Sequence, residues 1–173
     1  NGLCQADGVF HAYFQYAPFD VEGGVKVWGH VTSRDLMTWD YVGAPLLPDE
    51  PFDCHGVYSG SALAEDGRIR VLYTGNVKLS DVDGTYDYVN TGRRADTVYV
   101  ESVDGLAGRE FSQKRVVLAS DDYPEDLTCH VRDPKVWRDA DGRYHMVLGA
   151  RRRVDGPHVE SRFCAMHGEG AGR

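Results

Sequence analysis

The sequence predicts an all-β fold made of repeated antiparallel sheets. Helical periodicity is hard to find anywhere in the 173 residues. Glycine accounts for 20 residues and aromatic side chains for 11% of the chain, a combination typical of short strands and tight turns. Short stretches that alternate between apolar and polar residues also recur along the chain, each directly after an Asp-Gly pair.

The recurring segments favour propeller blades. The Asp-Gly pairs that open these stretches are residues 7–8, 66–67 and 141–142. Asp-Gly is a strong β-hairpin signal because both residue types tolerate a positive φ. A Ser-x-Asp turn followed by an aromatic residue also occurs twice, at Ser33 with Trp39 and at Ser102 with Phe111. A repeat of roughly 50 to 75 residues made only of strands predicts a β-propeller, and an evenly stranded β-sandwich is the alternative.

The number of repeats bears on the domain organisation. A propeller needs at least four blades, whereas these repeats account for two blades and part of a third. We therefore expect residues 1–153 to be the N-terminal part of a larger propeller domain. Residues 154–173 do not continue the alternating pattern. Residues 154–160 contain no clear strand, and residues 161–173 are predicted to be a coil rich in glycine, arginine and histidine. A frameshift or a disordered tail would produce such a segment.

Charge and motifs exclude several function classes. The formal net charge of −8 gives no footprint for a nucleic-acid partner, and no apolar run approaches the roughly 20 residues of a membrane helix. The four cysteines are too sparse for a disulfide scaffold and indicate free, buried thiols in a reducing compartment. No zinc-like spacing, Gly-x-Ser-x-Gly elbow or glycine-rich phosphate loop occurs. We expect neither a metal nor a cofactor.

The segment Arg132-Asp133-Pro134 can carry sugar chemistry. The proline favours an extended backbone at Asp133, and the arginine beside it can hold the carboxylate ionised. Such a pair facing a pocket would suit sugar hydroxyls or a developing cation. The alternative is a surface turn with a weak ion pair.

Two further segments can line a ligand. The small residues around Tyr58 and Ser59 would let a ligand approach the backbone closely, although a plain Gly/Ser turn explains them as well. Gln15 lies between aromatic residues on a predicted strand. A buried amide there needs hydrogen-bond partners, which a sugar could supply; a solvent-facing glutamine is the alternative.

Taken together, six segments in order resemble the family-32 glycoside hydrolases, which include invertases, sucrose-6-phosphate hydrolases and fructanases. The resemblance spans about residues 1 to 153. The six are Asn1-Gly2-Leu3; Tyr13-Phe14-Gln15-Tyr16; Trp28-Gly29-His30 with Thr32-Ser33-Arg34-Asp35-Leu36 and Trp39; Tyr58-Ser59-Gly60-Ser61-Ala62; Leu72-Tyr73-Thr74-Gly75-Asn76; and Arg132-Asp133-Pro134-Lys135-Val136-Trp137.

The resemblance implies a five-bladed β-propeller, of which this chain is about the first half, followed in the family by a β-sandwich. It implies hydrolysis of terminal β-D-fructofuranosides with retention, without metal or cofactor. The implied nucleophile is the aspartate of an Asn-Asp-Pro-Asn-Gly motif, two residues before Asn1. The implied acid/base is the glutamate of a downstream Glu-Cys motif, and neither Glu160 nor Glu169 precedes a cysteine. We therefore expect the 173 residues to be inactive by themselves.

The family's pattern assigns roles to residues of this chain. Asp133 matches the aspartate that binds fructose hydroxyls and stabilises the transition state. The residues implied to contact substrate are Asn1, Gln15, Tyr58, Ser59, Arg132 and Asp133. Gly23 stands where some members carry a pocket tryptophan, and Trp28 matches the family's structural tryptophan.

The subclass follows from two more segments. Residues 86–92 and 123–130 look like the bacterial sucrose-hydrolase branch, which implies a cytoplasmic enzyme. The implied partner is a small sugar (sucrose, sucrose 6-phosphate or a short fructan), with no nucleic acid and no membrane. The sequence shows no separate basic cluster assignable to a phosphate, so free sucrose is an equal candidate. A non-catalytic, fructoside-binding half-propeller is the alternative function.

Overall fold

The computed structural model describes residues 1–20, 24–79, 87–88, 90–154 and 159–168. These residues form three antiparallel sheets, which confirms the all-β prediction. In each sheet every strand pairs with its neighbour in sequence. Within the described ranges no helix has the length and apolar character needed to cross a bilayer.

The first two sheets have four strands each. The first contains β1 (Leu3–Ala6), β2 (Val9–Tyr16), β3 (Val27–Ser33) and β4 (Asp40–Leu46). The second contains β5 (Val57–Glu65), β6 (Arg68–Lys78), β7 (Arg93–Glu101) and β8 (Arg115–Leu118). Two 3₁₀ turns, Gly105–Ala107 and Ser120–Asp122, flank β8.

The third sheet contains β9 (Leu127–Arg138), β10 (Tyr144–Arg153) and β11 (Val159–Gly168). Strand β11 corrects the sequence prediction of coil from residue 161 onward. Its register places Cys164 opposite Leu148 and Met166 opposite Met146. These residues lie in the apolar cluster of this sheet, so the partial burial of Cys164 and Met166, two positions apart on one face, stabilises the strand.

The predicted hairpins form, with one difference. Asp7 and Gly8 have φ values of 48° and 72°, and Asp66 and Gly67 have 49° and 73°. Each pair is thus a two-residue turn whose positive φ values match the twist of the flanking strands. The third pair lies instead in a five-residue loop, because Arg138 pairs with Tyr144 across it.

The Ser-x-Asp turns hold the chain between the third and fourth strands of the first two sheets. Asp35 Oδ1 accepts hydrogen bonds from the amides of Met37 (2.9 Å) and Thr38 (2.8 Å). In the second sheet, Ser102 Oγ accepts one from the Ile69 amide at 2.8 Å. The two Ser-x-Asp segments therefore lie at the same place in two sheets, although their side chains bond different partners.

The main apolar core lies between the first and second sheets. Tyr13, Trp28 and Tyr73 are its largest members, all with 1% exposure or less. Burying side chains of this size contributes on the order of 1.5–3 kcal/mol each. All four cysteines are free thiols, as predicted, but Cys54 is exposed and the others are only partly buried.

Candidate functional site

Two of the predicted site segments lie at β-bulges. In the β5–β6 ladder Tyr58 pairs with Thr74 and Gly60 pairs with Tyr73, which leaves Ser59 as an extra residue. Bulges bend a strand and re-aim its side chains, and they are frequent beside active sites. The bulge therefore gives Ser59 an orientation that a regular strand would not.

The second bulge contains the Arg-Asp-Pro segment. Arg132 pairs with Gly149 and Lys135 with Val147, so Asp133 and Pro134 lie opposite the single residue Leu148. Pro134 fits here because a bulged residue is not required to donate a ladder hydrogen bond. Asp133 has a φ of 63°, in the left-handed region. The sequence-based expectation of an extended backbone at Asp133 is wrong, because the bulge overrides the preference imposed by the proline.

Thr74 connects the two bulges. The Asp133 amide donates a 2.9 Å hydrogen bond to Thr74 Oγ1. Thr74 is also the ladder partner of Tyr58 and is 2% exposed. A second contact between the sheets runs from the Val136 amide to Ser61 Oγ at 3.1 Å. One buried hydroxyl thus fixes the position of Asp133 relative to Tyr58.

The first sheet supports Tyr58 from the other side. The Trp28 indole Nε1 donates a 3.0 Å hydrogen bond to the Tyr58 carbonyl. Trp28 is fully buried, in keeping with the structural role implied for it. Gln15 pairs with Trp28 in the β2–β3 ladder, so the end of β2 belongs to the same connected region.

The Asp133 carboxylate is only partly desolvated. Its side chain is 53% exposed, and Arg132 Nε lies 3.8 Å from its Oδ2. Burial raises the pKa of Asp133, and the nearby Arg132 guanidinium opposes this shift. The carboxylate therefore has one side against the protein and one side open to a ligand.

A basic cluster lies beside Asp133. Arg132 Nη1 donates a 3.3 Å hydrogen bond to the Tyr88 hydroxyl. The Arg93 guanidinium stacks on the Tyr88 ring, 3.7 Å from its centroid, and lies 5.8 Å from the Tyr58 ring. His130 Nε2 donates to the Tyr88 carbonyl at 2.7 Å.

Three arginines contribute to the electrostatics of this cluster. The pKa of His130 is lowered to about 4, first by burial and then by the positive charges of Arg132, Arg93 and Arg151. These arginines come from three different strands, so they are distant in sequence. The fold therefore brings together basic side chains that are dispersed along the sequence.

The structure joins four of the six predicted substrate contacts. Tyr58, Ser59, Arg132 and Asp133 lie around Thr74, whereas Asn1 and Gln15 belong to the first sheet. Both of these are exposed. Asn1 precedes Gly2, which packs against Trp28 and Ala62 where the first two sheets meet. The substrate roles of the six stay predictions. Gly23, Tyr86 and Val89, which entered the sequence interpretation, lie outside the described residues.

Sequence reasoning missed three residues of this region: Thr74, Tyr88 and Arg93. Thr74 lies in a segment that carries the family resemblance, so its position was a usable signal. Arg93 is one of two consecutive arginines, and nothing local separates it from the half-exposed Arg94. Its significance comes only from burial.

Comparison with known proteins gives a consistent result. The family model "Glycosyl hydrolases family 32 N-terminal domain" matches residues 1–159. Over 152 residues the chain is 42% identical to a sucrose-6-phosphate hydrolase from Klebsiella pneumoniae. The match covers 87% of this chain and 29% of that protein, so the chain spans less than a third of its relative's length.

Solved structures share the fold. Superposition on a sucrose-6-phosphate hydrolase from Lactobacillus gasseri gives a TM-score of 0.76 at 30% identity, over 96% of this chain and 31% of that one. A Bombyx mori family-32 β-fructofuranosidase variant in complex with sucrose gives 0.74 at 25% identity, over 97% and 32% respectively.

Proposed function

The chain belongs to glycosyl hydrolase family 32, and from that premise we propose that the protein carrying it is a retaining β-fructofuranosidase. Its substrate is the terminal β-D-fructofuranoside of sucrose or of sucrose 6-phosphate. Relatives named for these activities support the proposal. In it the three sheets are blades of a five-bladed propeller, and the enzyme works in the cytoplasm.

The proposal rests on the way in which the protein holds Asp133 in position. Its backbone amide, which lies on a bulge, donates a hydrogen bond to the Thr74 hydroxyl, while more than half of its side-chain surface is open. In the proposal its carboxylate accepts hydrogen bonds from fructosyl hydroxyls. Its negative charge stabilises the oxocarbenium-like transition state, in which positive charge builds up on the sugar ring.

The nucleophile and the acid/base are the aspartate and glutamate that the family pattern places outside these 173 residues. Retaining hydrolysis requires those two carboxyl groups to lie about 5 to 5.5 Å apart. In the proposal, the described residues bind the substrate, and the two reacting carboxyl groups come from the rest of the protein. Arg132 keeps Asp133 ionised, while Tyr58, Ser59, Gln15 and Asn1 contact the sugar.

The test is a stereochemical assay of the complete protein that carries this chain. Sucrose and sucrose 6-phosphate are each supplied with methanol as a competing acceptor, and products are followed by proton NMR. The proposal predicts fructose together with methyl β-D-fructofuranoside, because a covalent intermediate transfers the sugar with net retention. The α-methyl fructoside would contradict retention. Sucrose binding measured by calorimetry without turnover would favour the non-catalytic binding module.

A further inference from the structure

Arg93 is a buried guanidinium that forms no salt bridge with the acidic residues in the described part of the chain. It is 3% exposed, and its Nε and Nη2 atoms have no hydrogen-bond partner among the described residues. Its neighbour Arg94, by contrast, pairs with Asp96 at 2.9 Å. A buried charge without a partner is costly, so a ligand that supplies the opposite charge would be bound there.

The two unpartnered atoms define the ligand chemistry. Nε and Nη2 share one edge of the guanidinium plane, the edge that binds carboxylate or phosphate oxygens through two parallel N–H bonds. The Tyr88 ring covers one face of the guanidinium. Tyr88 is itself 42% exposed, so its ring separates the Arg93 guanidinium from the solvent.

The surroundings favour a doubly charged anion beside the proposed fructosyl site. Arg132 and Arg151 lie close enough to act on the same histidine as Arg93. This concentration of positive charge stands out in a chain with a net charge of −8. Arg132 is adjacent to Asp133, and the Arg93 guanidinium lies 5.8 Å from the Tyr58 ring. A single ligand can therefore contact Asp133 and place an anionic group beside Arg93.

We infer, on the basis of the proposed function, that Arg93 binds the phosphate group of a sugar phosphomonoester substrate, with Arg132 and Arg151 adding positive charge. The phosphate oxygens accept hydrogen bonds from Nε and Nη2. Tyr88 moves aside from the guanidinium when the ligand enters. The complete protein is therefore selective for sucrose 6-phosphate over sucrose.

Steady-state kinetics of the complete protein with both substrates test this inference. We expect Arg93→Gln to lower kcat/KM for sucrose 6-phosphate about ten- to hundredfold more than kcat/KM for sucrose, through KM, since a hydrogen bond to a charged group is lost. Arg93→Lys keeps the charge and lacks the two-pronged edge, and we expect an intermediate loss. The matched control is Arg109→Gln, a substitution of an exposed arginine, which should leave the preference unchanged.

A binding measurement separates the two proposals. By calorimetry, glucose 6-phosphate should bind the wild type more tightly than glucose or inorganic phosphate does, and Arg93→Gln should abolish that advantage. Equal losses on both substrates, or unchanged glucose 6-phosphate binding in the folded Arg93→Gln or Arg93→Lys variants, would overturn the inference alone. Tight binding of inorganic phosphate, with no gain from the sugar, would indicate an anion site unrelated to substrate and would also overturn it. If the wild type hydrolysed neither sugar, the proposed function would fail, and the calorimetry would still decide whether Arg93 binds the sugar phosphate.

Discussion

The amide of Asp133 donates a hydrogen bond to the hydroxyl of Thr74, 59 positions earlier in the chain. This bond crosses from the third sheet to the second and ends at a strand position that pairs with Tyr58. The proposed fructosyl-binding carboxylate is therefore positioned by a residue that does not touch the sugar in our proposal.

Replacing Thr74 should separate stability from positioning. Thr74→Val leaves the Asp133 amide without its acceptor, and we expect a loss of about 1–3 kcal/mol in the free energy of unfolding. A shift of the bulge should also lower kcat/KM on sucrose about tenfold or more. Urea unfolding and initial rates measure the two effects. Thr74→Ser, which keeps the hydroxyl, is the matched control; a loss as large as that of the valine variant would argue against the hydrogen bond.

Arg132 should control the ionisation of Asp133. Burial raises the pKa of Asp133 and Arg132 lowers it. Arg132→Met should therefore raise that pKa further, so that a higher pH is needed to ionise the carboxylate. Carbon-13 NMR titration of the Asp133 carboxyl reports this directly. Arg152→Met removes an exposed arginine paired with Asp126 and should leave the titration unchanged; an unmoved Asp133 pKa in Arg132→Met would contradict the assigned coupling.

The buried pair His11 and His30 should make stability depend on pH. Their rings stack, and His11 Nδ1 lies 3.0 Å from His30 Nε2. The pKa of His30 is lowered to about 4, first by burial and then by the charges of His11 and Arg109, which Asp104 opposes. Burial also lowers the pKa of His11, again opposed by Asp104. A histidine with a lowered folded-state pKa takes up its proton first in the unfolded chain.

The stability that His30 contributes is therefore complete above pH 6.5 and is lost as the pH falls toward 4. The expected loss is on the order of 2–3 kcal/mol. Urea unfolding of the complete protein at several pH values measures it. His30→Gln removes the titrating group and should flatten the curve between pH 6.5 and 4, and an unchanged slope would contradict this explanation. The lowered pKa values of His11 and His130 leave a smaller residual slope in that variant.

A buried ion pair joins the loop before β5 to the start of β8. Lys114 Nζ contacts the fully buried Asp53, and the Tyr73 hydroxyl donates to the same carboxylate at 2.7 Å. Lys114→Met should destabilise the protein by about 3–5 kcal/mol, because the carboxylate stays buried without its counter-charge. Thermal unfolding measures this, with Lys135→Met at an exposed position as control. A difference below about 1 kcal/mol from that control would contradict the assignment.

Much of the fold follows from local signals. The hairpins at Asp7 and Asp66 form as predicted because two residues with positive φ are sufficient to specify each turn. Strand β11 was missed because polar residues interrupt its apolar positions, and Cys164 and Met166 become partly buried only through contacts with β10 and its cluster. The apolar and polar residues of β11 alternate at Cys164 and Met166, but this alternation is recognisable only once the partner strand is known.

The candidate site was predictable only in part. Arg132, Asp133, Tyr58 and Ser59 follow from the family's motifs, but the left-handed backbone of Asp133 does not, since it depends on a register shift between β9 and β10. Arg93 and Thr74 act through residues far away in the chain. The burial of the Arg93 guanidinium and the hydrogen bond between Asp133 and Thr74 exist only in the folded molecule. The order of residues in the sequence does not reveal them.

The most direct test of the central claim is the rate of Asp133→Asn in the complete protein. Asparagine tolerates the left-handed φ, and the backbone amide of residue 133 can still donate its hydrogen bond to Thr74, so the fold should be preserved. We predict that kcat/KM on sucrose and on sucrose 6-phosphate falls about a hundredfold or more, with an unchanged Tm. Asp126→Asn, a surface substitution, should leave the rate unchanged. An Asp133→Asn enzyme with the wild-type rate would contradict the role given to this carboxylate.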